Sequence, residues 1–241
     1  MSRVILVTGG SRGIGLGIAQ SFAAHGDMVI LNARADSVTL DESVQAIKRA
    51  GGNADGFIAD ISDYVNTRDM FSQIKARYGP VEILVNNAGA AHYGLFSDMS
   101  LPEMQAVLAN NLHTAVNASH LAVPDMVRAK AGCIINITSV WGVTGASCEV
   151  MYSTAKAALI GFTKALAKEL GPSGVRVNAI ACGAFETRMN DTLSQDEKNA
   201  FAESIPLGRF GYPREAGEMA VYMAGAAYLT GQVVPLDGGL V

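Results

Sequence analysis

The feature that most constrains the fold is a regular alternation of short apolar runs with longer segments of helical periodicity. The apolar runs are, in order, RVILVT, MVILN, ADGFIAD, VEILVNNAG, GCIINITS, VRVNAIAC and GQVVPLDGG. The segments between them place apolar residues three and four positions apart, as in MYSTAKAALIGFTKALAKELG. Apolar strands that alternate with helices are typical of a parallel sheet covered on both faces. We therefore predict an α/β fold with one doubly wound parallel sheet of about seven strands.

The same alternation predicts one domain that spans residues 1–241, because no linker or low-complexity stretch interrupts it. One long stretch, residues 183–205, fits neither pattern and contains the polar segment DTLSQDEKNAF. A stretch of this length inside a compact domain is typical of a binding loop. We predict a substrate lid around residues 183–205.

Charge and composition exclude several classes of function. The net charge is −4 and no block of lysine and arginine occurs, which argues against a nucleic-acid partner. Three cysteines do not suggest a disulfide framework, and we predict no metal site. No apolar run reaches the ~18 residues that a membrane span needs, and no signal peptide is evident at the N-terminus. We expect a soluble, cytoplasmic protein.

A glycine-rich loop follows the first predicted strand. The segment TGGSRGIG contains Gly9, Gly13 and Gly15 and runs into the first predicted helix. Glycines at a strand–helix turn allow the main chain to approach a pyrophosphate, and the helix N-terminus then offers free N–H groups to it. The position of the loop between strand and helix predicts nucleotide binding.

The end of the second predicted strand bears on the choice between NAD and NADP. An NAD enzyme usually has an acidic residue there for the ribose 2′-hydroxyl, whereas this chain has Arg34. Arg34, together with Arg12 of the glycine loop, is suited to bracket a 2′-phosphate by charge-assisted hydrogen bonds. Asp36 is better interpreted as the start of the next helix. We therefore favour NADPH or NADP over NADH.

A tyrosine and a lysine stand four residues apart on one predicted helix. A free tyrosine has a pKa of about 10, and a lysine cation beside Tyr152 favours the phenolate, so we expect Lys156 to lower that pKa toward neutrality. Ser139 ends the preceding strand, where its hydroxyl can reach the same cleft. Tyr152 would donate a proton to a carbonyl oxygen that Ser139 holds.

These motifs occur together in one order. The chain combines TGGSRGIG, NNAG at residues 86–89, Asn111 in NNL, Ser139, and Tyr152 followed by Lys156. In this it resembles the short-chain dehydrogenase/reductase family over its whole length, including the C-terminal TGQVVPLDGG. The resemblance implies a single NADP-binding Rossmann domain and a catalytic tetrad of Asn111, Ser139, Tyr152 and Lys156. It further implies that Asn111 holds a water in a proton relay and that the protein is a homotetramer.

The resemblance also implies which residues contact the cofactor. Asp60 and Ile61 would meet the adenine, Phe185 and Thr187 the nicotinamide end, and Lys156 the nicotinamide ribose. The family commonly has a proline where this chain has Cys182. The full set of implied contacts is Gly9, Ser11, Arg12, Gly13, Ile14, Gly15, Arg34, Asp60, Ile61, Asn87, Ala88, Gly89, Tyr152, Lys156, Gly183, Phe185 and Thr187.

Two substrates are suggested by similar segments. ALAKELGPSGVRVNAIA and PLGRFGYPREAGEMA are similar to 3-oxoacyl-acyl-carrier-protein reductases, which implies an NADPH-dependent reductase of a ketone held on acyl carrier protein. SVWGVTGASCEVMYS and AHYGLFSDMS are similar to reductases of the aminopentanone modification of elongation factor P, in which Glu149 would meet an ammonium. A non-catalytic NADP-binding protein is the alternative from a different class of function. Such a protein has no need of all four tetrad residues, so the intact tetrad argues against it.

Overall fold

The structure is a computed structural model that describes residues 2–188 and 194–241. Within these residues seven strands form one sheet in the order β3–β2–β1–β4–β5–β6–β7, and every neighbouring pair is parallel. The strands are β1 (Val4–Val7), β2 (Met28–Ala33), β3 (Asn53–Ile58), β4 (Ile83–Asn86), β5 (Gly132–Ser139), β6 (Val175–Cys182) and β7 (Val233–Leu236). The predicted α/β sheet of about seven strands is confirmed.

Helices connect these strands. The described residues form α1 (Gly13–Ala24), α2 (Ser37–Arg49), α3 (Tyr64–Tyr78), α4 (Leu101–Leu108), α5 (Thr114–Ala129), α6 (Trp141–Thr144), α7 (Val150–Leu170), α8 (Gln195–Ser204) and α9 (Pro213–Gly225). In this part of the chain, none of the helices has both the length and the apolar character needed to cross a membrane.

Each face of the sheet has its own apolar core. Ile5 and Val7 of β1 pack into the core that α1, α2 and α9 cover, whereas Val4 and Leu6 face the core under α3, α5 and α7. Successive side chains of a strand point to opposite faces, so a strand buried on both faces must be apolar throughout. This is the physical origin of the continuous apolar runs in the sequence.

The sheet order places a site at the ends of its central strands. From β1 the chain moves outward through β2 and β3 and then returns to the other side of β1 with β4. Such a reversal opens a crevice beyond the carboxyl ends of the strands, where ligands bind in doubly wound sheets.

Two elements differ from the sequence interpretation. One of the predicted helical segments between the apolar runs, residues 102–130, is interrupted by a π-helical turn, Ala109–His113, between α4 and α5. The predicted irregular stretch 183–205 contains α8, whose capping box joins Ser194 and Glu197. The sequence contained a pattern typical of the start of this helix, a serine followed three residues later by a glutamate. Residues 189–193 of the predicted lid lie outside the described residues.

Candidate active site

A cavity of about 490 Å³ opens at the carboxyl ends of the central strands. It is bordered by the loops that follow β1, β2, β3 and β4, and by residues that follow β6. The predicted cofactor residues that line it are Gly9, Ser11, Arg12, Gly13, Ile14, Gly15, Arg34, Asp60, Ile61, Asn87, Ala88, Gly89 and Thr187. Folding therefore brings these segments, far apart in sequence, around one space.

The glycine loop presents the N-terminus of α1 to this cavity. Gly13 has φ +53°, a left-handed conformation that favours glycine. Arg12 is the N-cap of α1, yet no side chain caps the helix and no acidic residue lies in its first turn. The first N–H groups of α1 are thus not taken by a side-chain cap, as a bound phosphate requires.

The cavity ends in a group of charged side chains. Arg12 Nη2 lies 3.2 Å from Asp36 Oδ2, and Arg34 Nη1 donates to Asn110 Oδ1 at 3.1 Å. Asp36 is the N-cap of α2 and accepts a hydrogen bond from the Thr39 N–H, which confirms its predicted place at the start of that helix. This hydrogen bond, with the nearby arginines, lowers the pKa of Asp36 below its usual value.

Among the cavity residues that were not predicted as cofactor contacts, Asn110 and Arg188 bear on cofactor binding. Asn110 precedes Asn111 in the π-helical turn, and Arg188 follows Thr187 after β6. The sequence contained a signal for Arg188, because this basic residue directly follows Thr187, a predicted cofactor contact. Asn110 had no comparable signal, because its role depends on the approach of Arg34 from a strand end distant in sequence.

The serine, tyrosine and lysine meet beside this cavity. Ser139 is the last residue of β5, and Tyr152 and Lys156 lie one turn apart on α7. The three side chains are buried, with 6%, 8% and 4% of their surface exposed. Lys156 Nζ lies 5.6 Å from the centre of the Tyr152 ring and donates to the Ile137 carbonyl at 3.0 Å. The predicted grouping of a hydroxyl, a phenol and an ammonium is present.

Asn111 lies in the π-helical turn and is buried. Its Nδ2 donates to the carbonyls of Ala90 and Val107 at 2.9 and 3.0 Å, and its Oδ1 accepts from the Ala90 N–H at 3.1 Å. Both amide donors are therefore used, and one lone pair of Oδ1 remains for a water. The predicted relay water stays a prediction, whereas the fixing of the loop at Ala90 is a direct structural role.

Burial sets the ionisation of the phenol. The pKa of Tyr152 is raised above its usual value, first because burial disfavours the phenolate and second because the Glu149 carboxylate is near. A hydrogen bond with Ser139 acts in the opposite direction. The expectation that Lys156 brings this pKa down toward neutrality is wrong for the protein without ligands. Burial dominates this pKa, Lys156 is not among the groups that shift it, and Tyr152 is held as a neutral phenol.

Lys156 responds to burial in the opposite sense. Loss of water around the ammonium lowers its pKa from 10.5 to about 8, and the neighbouring Cys182 partly offsets this effect. Cys182 itself is buried, which raises the pKa of its thiol to about 12. At neutral pH the site therefore holds a cationic lysine between two neutral acids.

The comparisons with known proteins agree with this geometry. The family model described as short chain dehydrogenase matches residues 3–198. The chain belongs to the short-chain dehydrogenase family. This short-chain dehydrogenase is an oxidoreductase that acts on CH–OH or C=O groups with a nicotinamide cofactor.

Several curated relatives align with this short-chain dehydrogenase over its whole length. The 3-oxoacyl-[acyl-carrier-protein] reductase of Aquifex aeolicus is 39% identical, with 99% of this chain and 97% of the relative covered. The reductase of the same name from Escherichia coli K12 is 36% identical, with 99% and 97% covered. YmfI of Bacillus subtilis, an uncharacterized oxidoreductase, is 36% identical, with 99% of both chains covered.

A solved structure has the same fold. A putative gluconate dehydrogenase from Agrobacterium tumefaciens superimposes with a TM-score of 0.94 at 28% identity, over 99% of this chain and 95% of the other. The similarity of architecture thus extends to a relative with a different substrate name, so the fold alone does not select the substrate.

Gly89 of this dehydrogenase lies close to two of the catalytic residues. A Cβ at Gly89 would lie 2.6 Å from Asn111 Oδ1 and 3.4 Å from Lys156 Nζ. The absence of a side chain lets the main chain after β4 reach the catalytic group. Any larger residue here would displace Asn111.

Besides Tyr152 and Lys156, which lie beside the cavity, two further predicted cofactor residues do not line it. Phe185 is 3% exposed, packs in the core, and pairs with Gly211 in an isolated parallel bridge. Gly183 packs against Asp237, to which a Cβ would come within 2.7 Å. The Phe185 ring is therefore not available to the cofactor. Contacts between the cofactor and the main chain of these two residues stay predictions.

The Glu149 carboxylate lies near the catalytic Tyr152. Glu149 precedes α7 without capping it, and its carboxylate has no hydrogen-bond or ion-pair partner among the described residues. Burial alone raises the pKa of this carboxyl above its usual value. Nearby, the Gly94 N–H donates to the Cys148 carbonyl at 2.8 Å and joins the loop after β4 to the loop before α7.

Proposed function

We propose that the protein is an NADPH-dependent reductase that transfers a hydride to a ketone, in the manner of a 3-oxoacyl-acyl-carrier-protein reductase. The observation that carries this proposal is the neutral, buried Tyr152 between the Ser139 hydroxyl and the Lys156 ammonium. A group held in its protonated form at neutral pH is suited to donate a proton, which is what carbonyl reduction requires.

The residues divide the chemistry between them. Reduced nicotinamide, when bound, supplies a hydride to the carbonyl carbon. Ser139 donates a hydrogen bond to the carbonyl oxygen and so stabilises its developing negative charge. Tyr152 gives its phenolic proton to that oxygen. Lys156, still protonated near neutral pH, then stabilises the phenolate through its positive charge.

The cavity suits a phosphorylated dinucleotide. The uncapped N-terminus of α1 offers N–H groups to a diphosphate. Arg34 directly follows β2, where an NAD enzyme usually has its acidic residue, and Arg12 of the glycine loop reaches Asp36 in the same region. Asn110 holds Arg34 at this end of the cavity. These arginines support NADPH as the cofactor, with NADH as the weaker ligand.

The first candidate substrate is a 3-oxoacyl group carried on acyl carrier protein. It is supported by the relatives from Aquifex aeolicus and Escherichia coli, whose names state that activity. The resemblance to such reductases implies two basic docking positions for the carrier, of which one matches the exposed Lys130. The other falls at Ser173, which is not basic, and this weakens the candidate.

The second candidate is the aminopentanone carried on elongation factor P. One observation favours it: the half-buried Glu149 carboxylate faces Tyr152 and has no cationic partner among the described residues. A substrate ammonium would supply the missing charge, and buried carboxylates are usually paired.

A direct competition separates these candidates. NADPH oxidation would be followed with acetoacetyl-acyl carrier protein and with aminopentanone-modified elongation factor P, at equal concentrations. We expect turnover of the carrier-bound 3-oxoacyl group. Glu149→Gln should slow reduction of the aminoketone much more than reduction of the 3-oxoacyl group if the second candidate holds.

The same assay tests the reaction class. If neither protein-bound ketone nor a panel of free ketones oxidises NADPH, while NADPH still binds, the protein is a non-catalytic NADP-binding protein and the proposal is wrong. If NADH binds and reacts as well as NADPH, the cofactor assignment is wrong while the reductase assignment stands.

A further inference from the structure

The segment after β6 lies directly on the glycine loop. A Cβ built on Gly13 would lie 3.2 Å from Thr187 Cγ2, so Thr187 packs against the turn that opens α1. Arg188 is the next residue, is exposed, and lines the same cavity. The cofactor cavity therefore has a cationic side chain on the segment that faces the glycine loop.

The other cationic side chains of the cavity are already engaged. Among the described lining residues the cations are Arg12, Arg34 and Arg188, and no lysine is present. Arg12 forms an ion pair with Asp36, and Arg34 donates to Asn110. Arg188 has no hydrogen bond or ion pair with the described residues, although its charge contributes to the lowered pKa of Asp36.

The negative charges of the proposed cofactor need more than two arginines. Arg12 and Arg34 lie at the ribose end, where a 2′-phosphate would carry its own charge. The diphosphate adds two more negative charges at the glycine loop, where α1 supplies N–H groups but no charged side chain of its first turn. Arg188 is the remaining cation on the cavity wall, and its neighbour Thr187 touches that loop.

We propose that Arg188 binds the cofactor diphosphate from the side opposite the glycine loop. This inference rests on the proposed dinucleotide function. Arg188 closes the cavity over the diphosphate by charge-assisted hydrogen bonds, and so ties the segment after β6 to the presence of cofactor. The same contact is available with either nicotinamide dinucleotide, since both contain the diphosphate.

Isothermal titration with three ligands tests the assignment. NADPH contains both the diphosphate and the 2′-phosphate, NADH contains only the diphosphate, and 2′,5′-ADP contains the 2′-phosphate and a single 5′-phosphate in place of the diphosphate. Arg188→Ala should weaken NADPH and NADH by a similar factor of about ten or more, and change 2′,5′-ADP much less. Arg188→Lys should recover part of the loss.

Arg34→Ala is the crossed comparison, and it should weaken NADPH and 2′,5′-ADP while sparing NADH. Arg214→Ala on α9 is the matched control, because that side chain is 79% exposed and pairs with Glu218. It should change none of the three affinities.

Unchanged affinity of Arg188→Ala for both dinucleotides overturns the inference. A loss confined to NADPH and 2′,5′-ADP also overturns it, because Arg188 would then bind the 2′-phosphate. Failure of the dinucleotide function gives a different result: the wild-type protein would bind neither NADPH nor NADH.

Discussion

At the scale of single residues, the buried neighbours of Tyr152 determine its chemistry. Burial and Glu149 raise the pKa of the phenol, and burial lowers the pKa of Lys156 to about 8. The phenol therefore keeps its proton and the ammonium keeps its charge near neutral pH. This combination favours proton donation to a substrate oxygen, and its two consequences can be measured separately.

Tyr152→Phe removes the hydroxyl and keeps the ring. We expect turnover of the best ketone to fall by roughly 10²–10⁴-fold, the contribution of a positioned acid–base group, while NADPH affinity is retained. Steady-state kinetics and isothermal titration measure the two effects. Tyr228→Phe, at a fully exposed tyrosine that follows α9, is the control and should change neither value. Wild-type turnover in Tyr152→Phe would refute the mechanism.

The buried lysine predicts a pH dependence of stability. The pKa of Lys156 is about 8 in the folded protein and 10.5 unperturbed, so between these values the unfolded chain binds more protons. Stability must then rise with pH in this window. From pH 7 to 9 we expect the wild type to gain about 1 kcal/mol relative to Lys156→Met, measured by urea unfolding without ligands.

The pH range ends at 9 because a second buried group, the Cys182 thiol, affects stability above that pH. Burial raises the pKa of the Cys182 thiol from 9.0 to about 12, so above pH 9 the folded protein holds a proton that the unfolded chain loses. This effect lowers stability with rising pH and opposes that of Lys156. A difference between wild type and Lys156→Met that stays flat or falls from pH 7 to 9 would show that the ammonium is not buried as the structure has it.

At the scale of elements, strand ends and one irregular turn assemble the site. The apolar strands end together at one edge of the sheet, which brings the loops after β1, β2, β3 and β4 around the cavity. The π-helical turn Ala109–His113 places Asn111 against Ala90 and Asn110 against Arg34. A regular helix would turn these successive residues differently, and π-helical turns are frequent at functional sites.

The lid is the element whose motion can be tested. We propose that the described parts of the predicted lid, residues 183–188 and 194–205, close over bound substrate. Its described helix α8 has no buried residue, whereas Ile205, which follows it, is 2% exposed and anchors the segment. We expect amides of α8 to exchange quickly in the free protein and more slowly with NADPH and a ketone inhibitor bound.

Helix α7 is the internal reference for that exchange experiment, because it packs against β5 and β6 and buries seven of its residues. If α8 is as protected as α7 before ligand is added, it is a fixed part of the domain. Substrate entry would then depend on the loop at residues 90–100.

At the scale of the whole molecule, the sheet ends in an open edge. Within the described residues β7 pairs with β6 alone, and none of its four residues is fully buried. Tyr222 on α9 and Tyr228, between α9 and β7, are 67% and 105% exposed. Unpaired edges and exposed aromatic residues are typical of surfaces that another chain covers. We propose that this edge is one interface of a homotetramer.

Light scattering after size exclusion measures this assembly. We expect a mass of four chains for the wild type and a smaller assembly for Tyr222→Asp, because a carboxylate would be buried at the interface. Val38→Asp on α2, also at an exposed apolar residue, is the control and should stay tetrameric. A wild-type mass of one chain would contradict the proposal.

The sequence by itself determined the fold class and much of the site. Strands buried on both faces must be apolar throughout, so seven such runs between helical segments were enough to predict the parallel sheet. The glycine loop, the strand-end Ser139, and the spacing of Tyr152 and Lys156 are local patterns, and each predicted residue lies where its strand or helix places it.

The features of the site that depend on contacts between distant segments were decided only by the tertiary structure. The raised pKa of Tyr152 follows from burial by elements that its own helix does not contain. The contact of Arg34 with Asn110 joins residues 76 positions apart, and Thr187 reaches Gly13 from the far side of the sequence. Desolvation and the proximity of charges depend on how distant segments pack together, so the spacing of residues along the chain does not predict them.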